Sequence, residues 1–546
     1  MLLILLSTIL LIPVLMGSGK LLEFFFGGIS EGISGKIFSG IFGITILWTV
    51  LSFIIPLNIY LELPVIVAGL ISFFKDRLYR LFFRFSKREV VLIGSVTLIV
   101  LFCGSFYPYI LDHFGYYVPT IKWLREFGLV RGISNLDLTL GQMSVWHIFQ
   151  AGFSSFSDPY LRINTILLIV YTIYIVEHKG WIQLCFIPVL LLFSQSPSPD
   201  LPVIVFSLII LCEVLRKNRN TLFLFAFSVF VFAIKPTMIW LPLLGFLYSA
   251  FIVKSKFANL IPGFLIALLF FIKNIWTFGY PVFPIAVWDL TVNWKPNPEV
   301  LKLSSELAIQ KTYDMQYSYE KIQQFSIVDY IKNWLLLEGI KSKINILFTF
   351  SLIGFVIFTC IKRNKITSLI CLSVLAKSIL VLLFSAQYRF FIDVFFVIFF
   401  VIFVDYFNRK KSLTIFSALS IIVIGCIMVP SIIQNYLPTF RPGNFMTQIE
   451  VQQLYRPSVY RYHNYNTYKI GNLRFNVSEK YPYNFDTELP AISESYIFDD
   501  IKAGIFPQMA DPENMKKGFI WKKLTPEEKI QAQDIINSIN RSYKQN

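Results

Sequence analysis

The feature that most constrains this chain is the placement of its positive charge. About fourteen apolar runs follow one another with short connections, and from residue 75 onward Lys/Arg clusters occupy every second connection. They are Lys75 to Arg88 with six Lys/Arg, Lys179, Arg216-Lys217-Asn218-Arg219, Lys254 and Lys256, Lys362-Arg363-Asn364-Lys365, and Arg409-Lys410-Lys411. Positive charge is retained on the cytoplasmic side of a membrane, so this alternation predicts an orientation for the whole chain, with an even number of spans and both termini outside. The runs are 2–16, 37–56, 58–74, 90–107, 159–176, 181–193, 201–215, 222–234, 238–253, 258–276, 344–361, 366–384, 389–407 and 413–429. Several are shorter than the roughly 20 residues a perpendicular helix needs, so their ends are expected to extend into polar flanks. The stretch 142–157 is apolar without a second basic flank and reads as an interfacial or re-entrant helix. Leu2 to Met16 has no basic residue before it and reads as a retained first span, not a cleaved signal.

Composition excludes the alternatives to a polytopic membrane protein. With 55% hydrophobic and 17% aromatic residues in 546, a water-soluble fold could not bury its apolar side chains. The net charge of +16 does not indicate nucleic acid: residues 430–546 hold 14 Lys/Arg against 12 Asp/Glu, and the rest of the excess lies in membrane connections, where it meets anionic lipid. The six cysteines all fall in apolar runs at no metal-like or disulfide-like spacing and read as packing residues. No GxxxxGK[ST], HExxH or CxxC pattern is present, which disfavours an ATP-driven pump, a membrane zinc protease and a thiol oxidoreductase. The predicted fold is therefore an all-α polytopic membrane protein of about 14 transmembrane helices. It divides into N-terminal helices (1–89), a transmembrane core (90–429) with outer loops 108–158 and 277–343, and a small extracytoplasmic domain (430–546). The last is rich in tyrosine (Tyr455, Tyr460, Tyr462, Tyr465, Tyr468, Tyr481, Tyr483), a pattern that can stack on sugar rings but more often builds an ordinary small core.

Sidedness collects the remaining polar residues on the outer face. Asp112 lies at the mouth of a span, followed by His113, Tyr116 and Tyr117, with Pro119 and Gly128 bracketing a short surface helix at 119–127. A carboxylate where hydrocarbon meets water can have its pKa raised and act as a general base; the structural alternative is a helix N-cap. Asp200 closes the rigid turn Ser194–Asp200. Lys235 and Arg389 sit at outer helix ends against the positive-inside trend, suited to a phosphate at headgroup depth or to simple snorkelling. Asp393 is placed to pair with Arg389. Lys273 and Asn274 precede a sharp turn, Gly279-Tyr-Pro-Val-Phe-Pro284. The span interiors read as almost purely apolar, which disfavours transport.

Together these segments resemble the GT-C superfamily of membrane glycosyltransferases. Asp112 matches the acidic residue early in that superfamily's first long outer loop, and Tyr116 and Tyr117 match tyrosines that often follow it. Lys273-Asn274 through Pro284 resembles an Arg-Asn…Gly-Asn-Pro…Pro pattern, with Lys for Arg and Tyr for the second Asn. Gln387-Tyr388-Arg389-Phe390 resembles the Arg-Tyr or Arg-Phe pair of a late span. The resemblance covers roughly residues 90–410 in layout. It implies a polyprenyl-phosphate-linked sugar as donor and a glycan, lipid or protein as acceptor. It also implies Asp112 as base, with His113, Tyr116, Tyr117, Asp200, Lys235, Lys273, Asn274 and Arg389 binding substrate. No metal ligands carry over, and a divalent cation is left open. The expected location is a bacterial inner membrane. Two other readings stand beside it: an O-antigen-type polymerase or ligase, and a lipid-linked oligosaccharide flippase or transporter.

Overall fold

The computed structural model describes residues 1–429, 431 and 449–544, and it is mostly helical. Each of the fourteen apolar runs is helical along most of its length. Among the described residues, seven helical segments are long and apolar enough to cross a membrane: Leu2–Phe26, Ile33–Leu51, Pro236–Val253, Phe257–Phe278, Ile340–Lys362, Lys365–Phe384 and Arg409–Met428. Four more apolar segments, Ile163–Glu177, Trp181–Phe193, Thr221–Ile234 and Ile392–Phe403, remain short. The expected extension into polar flanks thus occurs at Leu2–Phe26 but not in these four.

The basic connections end one helix and start the next. Ser86 forms a reciprocal capping box with Glu89. Asn220, Asn364 and Asn408 each accept from first-turn amides, at 3.1 Å from Phe223 N, 2.9 Å from Ile366 N and 3.0 Å from Lys411 N. Such side chains satisfy amides that have no partner within the helix. All six connections converge. Arg409 points at Arg88 O (3.5 Å) and stacks on Trp181, while Arg216 donates to His178 O. Tyr248 donates to Asn218 O (2.8 Å), and Lys362 pairs with Asp405 (3.2 Å). Sequence alternation is therefore realised as one basic end of a bundle.

The first three helices pack almost backbone to backbone. A Cβ on Gly17 would lie 1.9 Å from Gly69 O, one on Gly19 1.8 Å from Lys36 O, and one on Gly40 2.1 Å from Leu15 O. Small residues allow this approach, which in a membrane supplies the packing that hydrophobicity cannot.

The helix interiors are not purely apolar, contrary to expectation. Lys377, in the helix Lys365–Phe384, forms a buried ion pair with Asp393 of Ile392–Phe403, and Trp240 Nε1 donates to the same carboxylate at 3.1 Å. Asp393 thus pairs with Lys377 and not with Arg389. Glu62, also buried, accepts from Phe156 N and Ser157 N at 2.9 and 2.6 Å. A lone charge in hydrocarbon is costly; each of these is paired or hydrogen-bonded.

Strands occur in the tail, where they depart from an all-α chain. Tyr465–Ile470 pairs antiparallel with Leu473–Ser478, and Ile505–Met509 with Phe519–Lys523. Helices Glu494–Lys502 and Pro526–Lys544 complete this region. The boundary placed at residue 430 falls at a segment, 430 and 432–448, that lies outside the described residues. The tail is tied to the segment 105–131: Phe519 N donates to Arg131 O (2.9 Å), Ser458 N to Ser105 O (2.8 Å), and Lys122 Nζ to Asp486 O and Thr487 O (both 3.0 Å).

Candidate functional site

Helix direction determines which residues meet at the end away from the basic connections. Lys87–Gly104 and Thr221–Ile234 leave that basic end and stop before Asp112 and at Lys235; Asp200–Leu215 starts at the far end with Asp200; Lys365–Phe384 ends just before the turn carrying Arg389. An 18-residue helix spans about 27 Å, so these four residues share the far end.

They do more than share it. Arg389 Nη1 lies 3.4 Å from Asp112 Oδ2, with the two side chains 46% and 39% exposed, so this pair is half open to its surroundings. The Arg389 carbonyl accepts from Lys235 Nζ (3.3 Å), and Lys235 closes an ion pair with Asp200. Ser198 Oγ holds the other Asp200 oxygen at 3.1 Å. The Asp112 side chain makes no capping hydrogen bond to the helical turn His113–Tyr117 that follows it, which argues against the N-cap alternative. Lys235 and Arg389 are likewise engaged by carboxylates and do not simply snorkel.

Partial burial pushes the Asp112 carboxyl above its ordinary value; Arg389 pulls it back and the Asp200 charge adds to the rise. Lys311 completes the electrostatics. It comes from the helix Pro298–Thr312 of the loop 277–343, and its ammonium stands in the opposing fields of Arg389 and Asp112. The helix is seated by Thr312 Oγ1 against Ser385 Oγ (3.4 Å), and Trp334 Nε1 donates to Ala386 O (2.8 Å) just before the Arg389 turn. Sequence reasoning missed Lys311 because a lysine in a polar loop helix carries no local signal.

The other sequence candidates are spread around this cluster. Tyr116 and Tyr117 pack edge to face at 4.5 Å, and both lie against the His147 ring, at 6.2 and 5.0 Å. His147 itself is buried. His113 is buried and engaged by Ser196 Oγ at 3.1 Å, so it braces the Asp112 turn from within. Lys273 donates to Gln142 O and Met143 O (2.8 and 2.9 Å) and Asn274 to Pro281 O (2.7 Å), which latches the sharp turn to the loop 141–143. Neither residue has a direct bond to the Asp112 cluster among those described.

Among the described residues no group of three or more His, Cys, Asp or Glu side chains converges for a metal, and Asp112 and Asp200 are each held by a cation. A separate cavity of about 1200 Å³ opens at the basic end, lined by Lys20, Glu23, Lys36, Arg84, His178 and Arg216 among others. It is remote from the Asp112 cluster and is not part of this site.

Fold and site define the class as a mostly helical membrane-type protein with a compact charged cluster at one end of its bundle. More particularly, the chain belongs to the family described as Domain of unknown function (DUF8201), whose model matches residues 1–396. That match takes in Asp112, Asp200, Lys235, Lys377, Arg389 and Asp393. No curated protein and no solved structure matches the chain.

Proposed function

We propose that this protein is a membrane glycosyltransferase of the GT-C type, moving a sugar from a polyprenyl-phosphate donor to an extracytoplasmic acceptor. In this reading all fourteen helical segments cross a bacterial inner membrane, the shorter ones within a locally thinned bundle, and the basic end faces the cytoplasm. The Asp112 cluster and the C-terminal domain then face outward. The observation that carries the reading is the meeting of Asp112, Arg389, Lys235 and Asp200 in one cluster, half open at the Asp112–Arg389 pair, from positions up to 277 residues apart.

The chemistry follows from the charges. The donor phosphodiester sits beside Arg389, Lys235 and Lys311 with its lipid tail between helices. Asp112 accepts the proton of an acceptor hydroxyl, the oxygen forms a bond to the anomeric carbon, and the bond from that carbon to the phosphate oxygen breaks. The phosphate leaves with the electron pair, and its growing negative charge is stabilised by cations already in position. Three cations against two carboxylates give the cluster one net positive charge, matching a singly charged phosphodiester. Asp200 holds Lys235 in place and orients the acceptor.

The test uses proteoliposomes with a labelled polyprenyl-phosphate sugar. Asp112→Asn is expected to lower transfer by about 10²–10⁴-fold, the ordinary contribution of a general base, with unchanged expression and melting behaviour. Wild-type transfer by that variant refutes the assignment. The buried Lys377–Asp393 pair favours a second reading, lipid-linked sugar transport, because intramembrane charges mark transport paths. Movement of intact donor across the vesicle membrane without cleavage of its sugar–phosphate bond would select that reading.

A further inference from the structure

The cavity at the basic end has a fixed wall. It lies where the helices Leu2–Phe26 and Ile33–Leu51 are joined by the loop 27–32, and all six residues of that loop line it. The loop is fastened from two sides. Ile33 N and Ser34 N, just after it, donate to Glu177 at 2.6 and 3.0 Å. Asn218 Nδ2 donates to Ile29 O (2.8 Å), and Asn220 Nδ2 to Phe26 O and Gly28 O (3.2 and 3.1 Å). Gly32 has φ +101°, and a Cβ there would meet Glu177 Oε1 at 2.5 Å, so the join needs glycine.

Charge around this cavity is balanced in number yet kept apart. Glu23 holds Lys36 at 2.7 Å and Lys20 at 3.8 Å, so one carboxylate serves two ammonium groups. Glu213 faces Arg216 at 3.9 Å. Arg84, Glu31 and Asp76 line the same cavity, are exposed, and form no ion pair among the described residues. They stand on three different elements: Glu31 on the loop, Asp76 at the end of Ile59–Lys75, and Arg84 at the end of the turn Leu78–Arg84. The cavity therefore offers positive charge at Arg84 and beside Glu23, and negative charge at Glu31 and Asp76. Its lip is apolar. Leu21, Phe24 and Phe25, from the last turns of the first helix, are 53%, 86% and 73% exposed and belong to the same lining. A recess with charges of both signs, opening beside bare apolar side chains of a helix long enough to span, suits a lipid headgroup whose chains lie along that helix.

We propose that this cavity binds a phospholipid whose headgroup joins a phosphate to a primary ammonium, the chemistry of phosphoethanolamine. The phosphate lies with Arg84, Lys20 and Lys36, the ammonium donates to Glu31 and Asp76, and the acyl chains run past Phe24 and Phe25. A purely anionic headgroup would leave both carboxylates facing its charge, and a quaternary ammonium has no N–H to donate. This site lies at the opposite end of the bundle from Asp112 and does not rest on the transferase reading.

The test is lipid retention by the full-length protein. Detergent-solubilised protein is titrated separately with palmitoyl-oleoyl phosphatidylethanolamine, phosphatidylcholine and phosphatidylglycerol, and bound lipid is counted by native mass spectrometry. One phosphatidylethanolamine is expected to bind about tenfold more tightly than either of the others, the worth of two partly exposed charge contacts. Glu31→Gln combined with Asp76→Asn should erase that preference, and Arg84→Gln should weaken all three lipids alike. The three side chains are exposed, so these amide variants are expected to melt like wild type. Equal retention of the three lipids, tighter binding of phosphatidylglycerol, or a preference that survives the double variant would overturn the proposal. Soluble phosphoethanolamine that displaces the lipid at equal concentration would overturn the assignment to a lipid, because the acyl chains would then contribute nothing.

Discussion

Replacing one member of the Lys377–Asp393 pair should cost far more than replacing both. Lys377 stands twelve residues into its helix, about 18 Å from the basic end, with its side chain fully buried. Asp393 is 4% exposed and is held by Lys377 and by Trp240 Nε1. Lys377→Met leaves a buried carboxylate with the indole as its remaining described donor. Asp393→Leu leaves an ammonium whose one described partner has gone. Breaking a buried pair from one side costs roughly 3–5 kcal/mol, with Lys377→Met near the lower figure because the indole bond survives. That is on the order of a hundred- to several-thousand-fold in the folding equilibrium, at about 1.4 kcal/mol per tenfold. The double variant removes both charges and should lie within about 1 kcal/mol of wild type, since a buried pair gains little over an apolar pair of similar volume. Equilibrium unfolding in mixed micelles across the four proteins gives the coupling directly. Single variants within about 1 kcal/mol of wild type, or a double variant as damaged as the two singles combined, would refute the burial argument. The result also bears on the site, because Asp393 lies four residues after Arg389 and fixes the height of its turn.

Three further outcomes follow from the geometry. Arg389→Gln removes the cation that holds the Asp112 pKa down; a base must be deprotonated to work, so the acid limb of the transfer-rate profile should move to higher pH, and an unmoved limb would separate the two residues functionally. Burial pushes Asp137 up to about 6, so its contribution to stability is fully present below its ordinary value of 3.8 and is lost as pH rises through about 6. Asn484 and Ser493 of the tail donate to Asp137 at 3.3 and 3.4 Å, so hydrogen-exchange protection of 484–493 should fall over that interval by about 3 kcal/mol at most. Asp137→Asn should flatten the fall, and an identical slope in both proteins would exclude Asp137 as its source. Gly19→Leu forces the first two helices apart at a 1.8 Å contact and should destabilise by about 1–3 kcal/mol in the same micelle assay, whereas Gly94→Leu, with open space around it, should be near neutral.

The amino-acid sequence by itself determined the helical character, the order of the fourteen apolar runs and which connections share an end. These are local properties: apolar runs make helices, and basic clusters mark alternate turns. It also singled out Asp112, Asp200, Lys235 and Arg389, because each is a charge at a helix end where the pattern predicts none. Only the tertiary structure decided their pairing. Asp112 meets Arg389 across 277 residues, and that choice left Asp393 to Lys377, a lysine hidden inside an apolar run. His113, Lys273 and Asn274 have the composition of site residues, yet packing turned them inward onto Ser196 and backbone carbonyls. Lys311 comes into the field of Asp112 from a loop, and Phe485 of the tail packs on Phe114 beside it, and no periodicity records such long-range approaches. Charge at a helix end can be read from sequence because it depends on neighbours a few residues away. The partner of a charge cannot, because it depends on which distant helix ends the packing brings within a few ångströms.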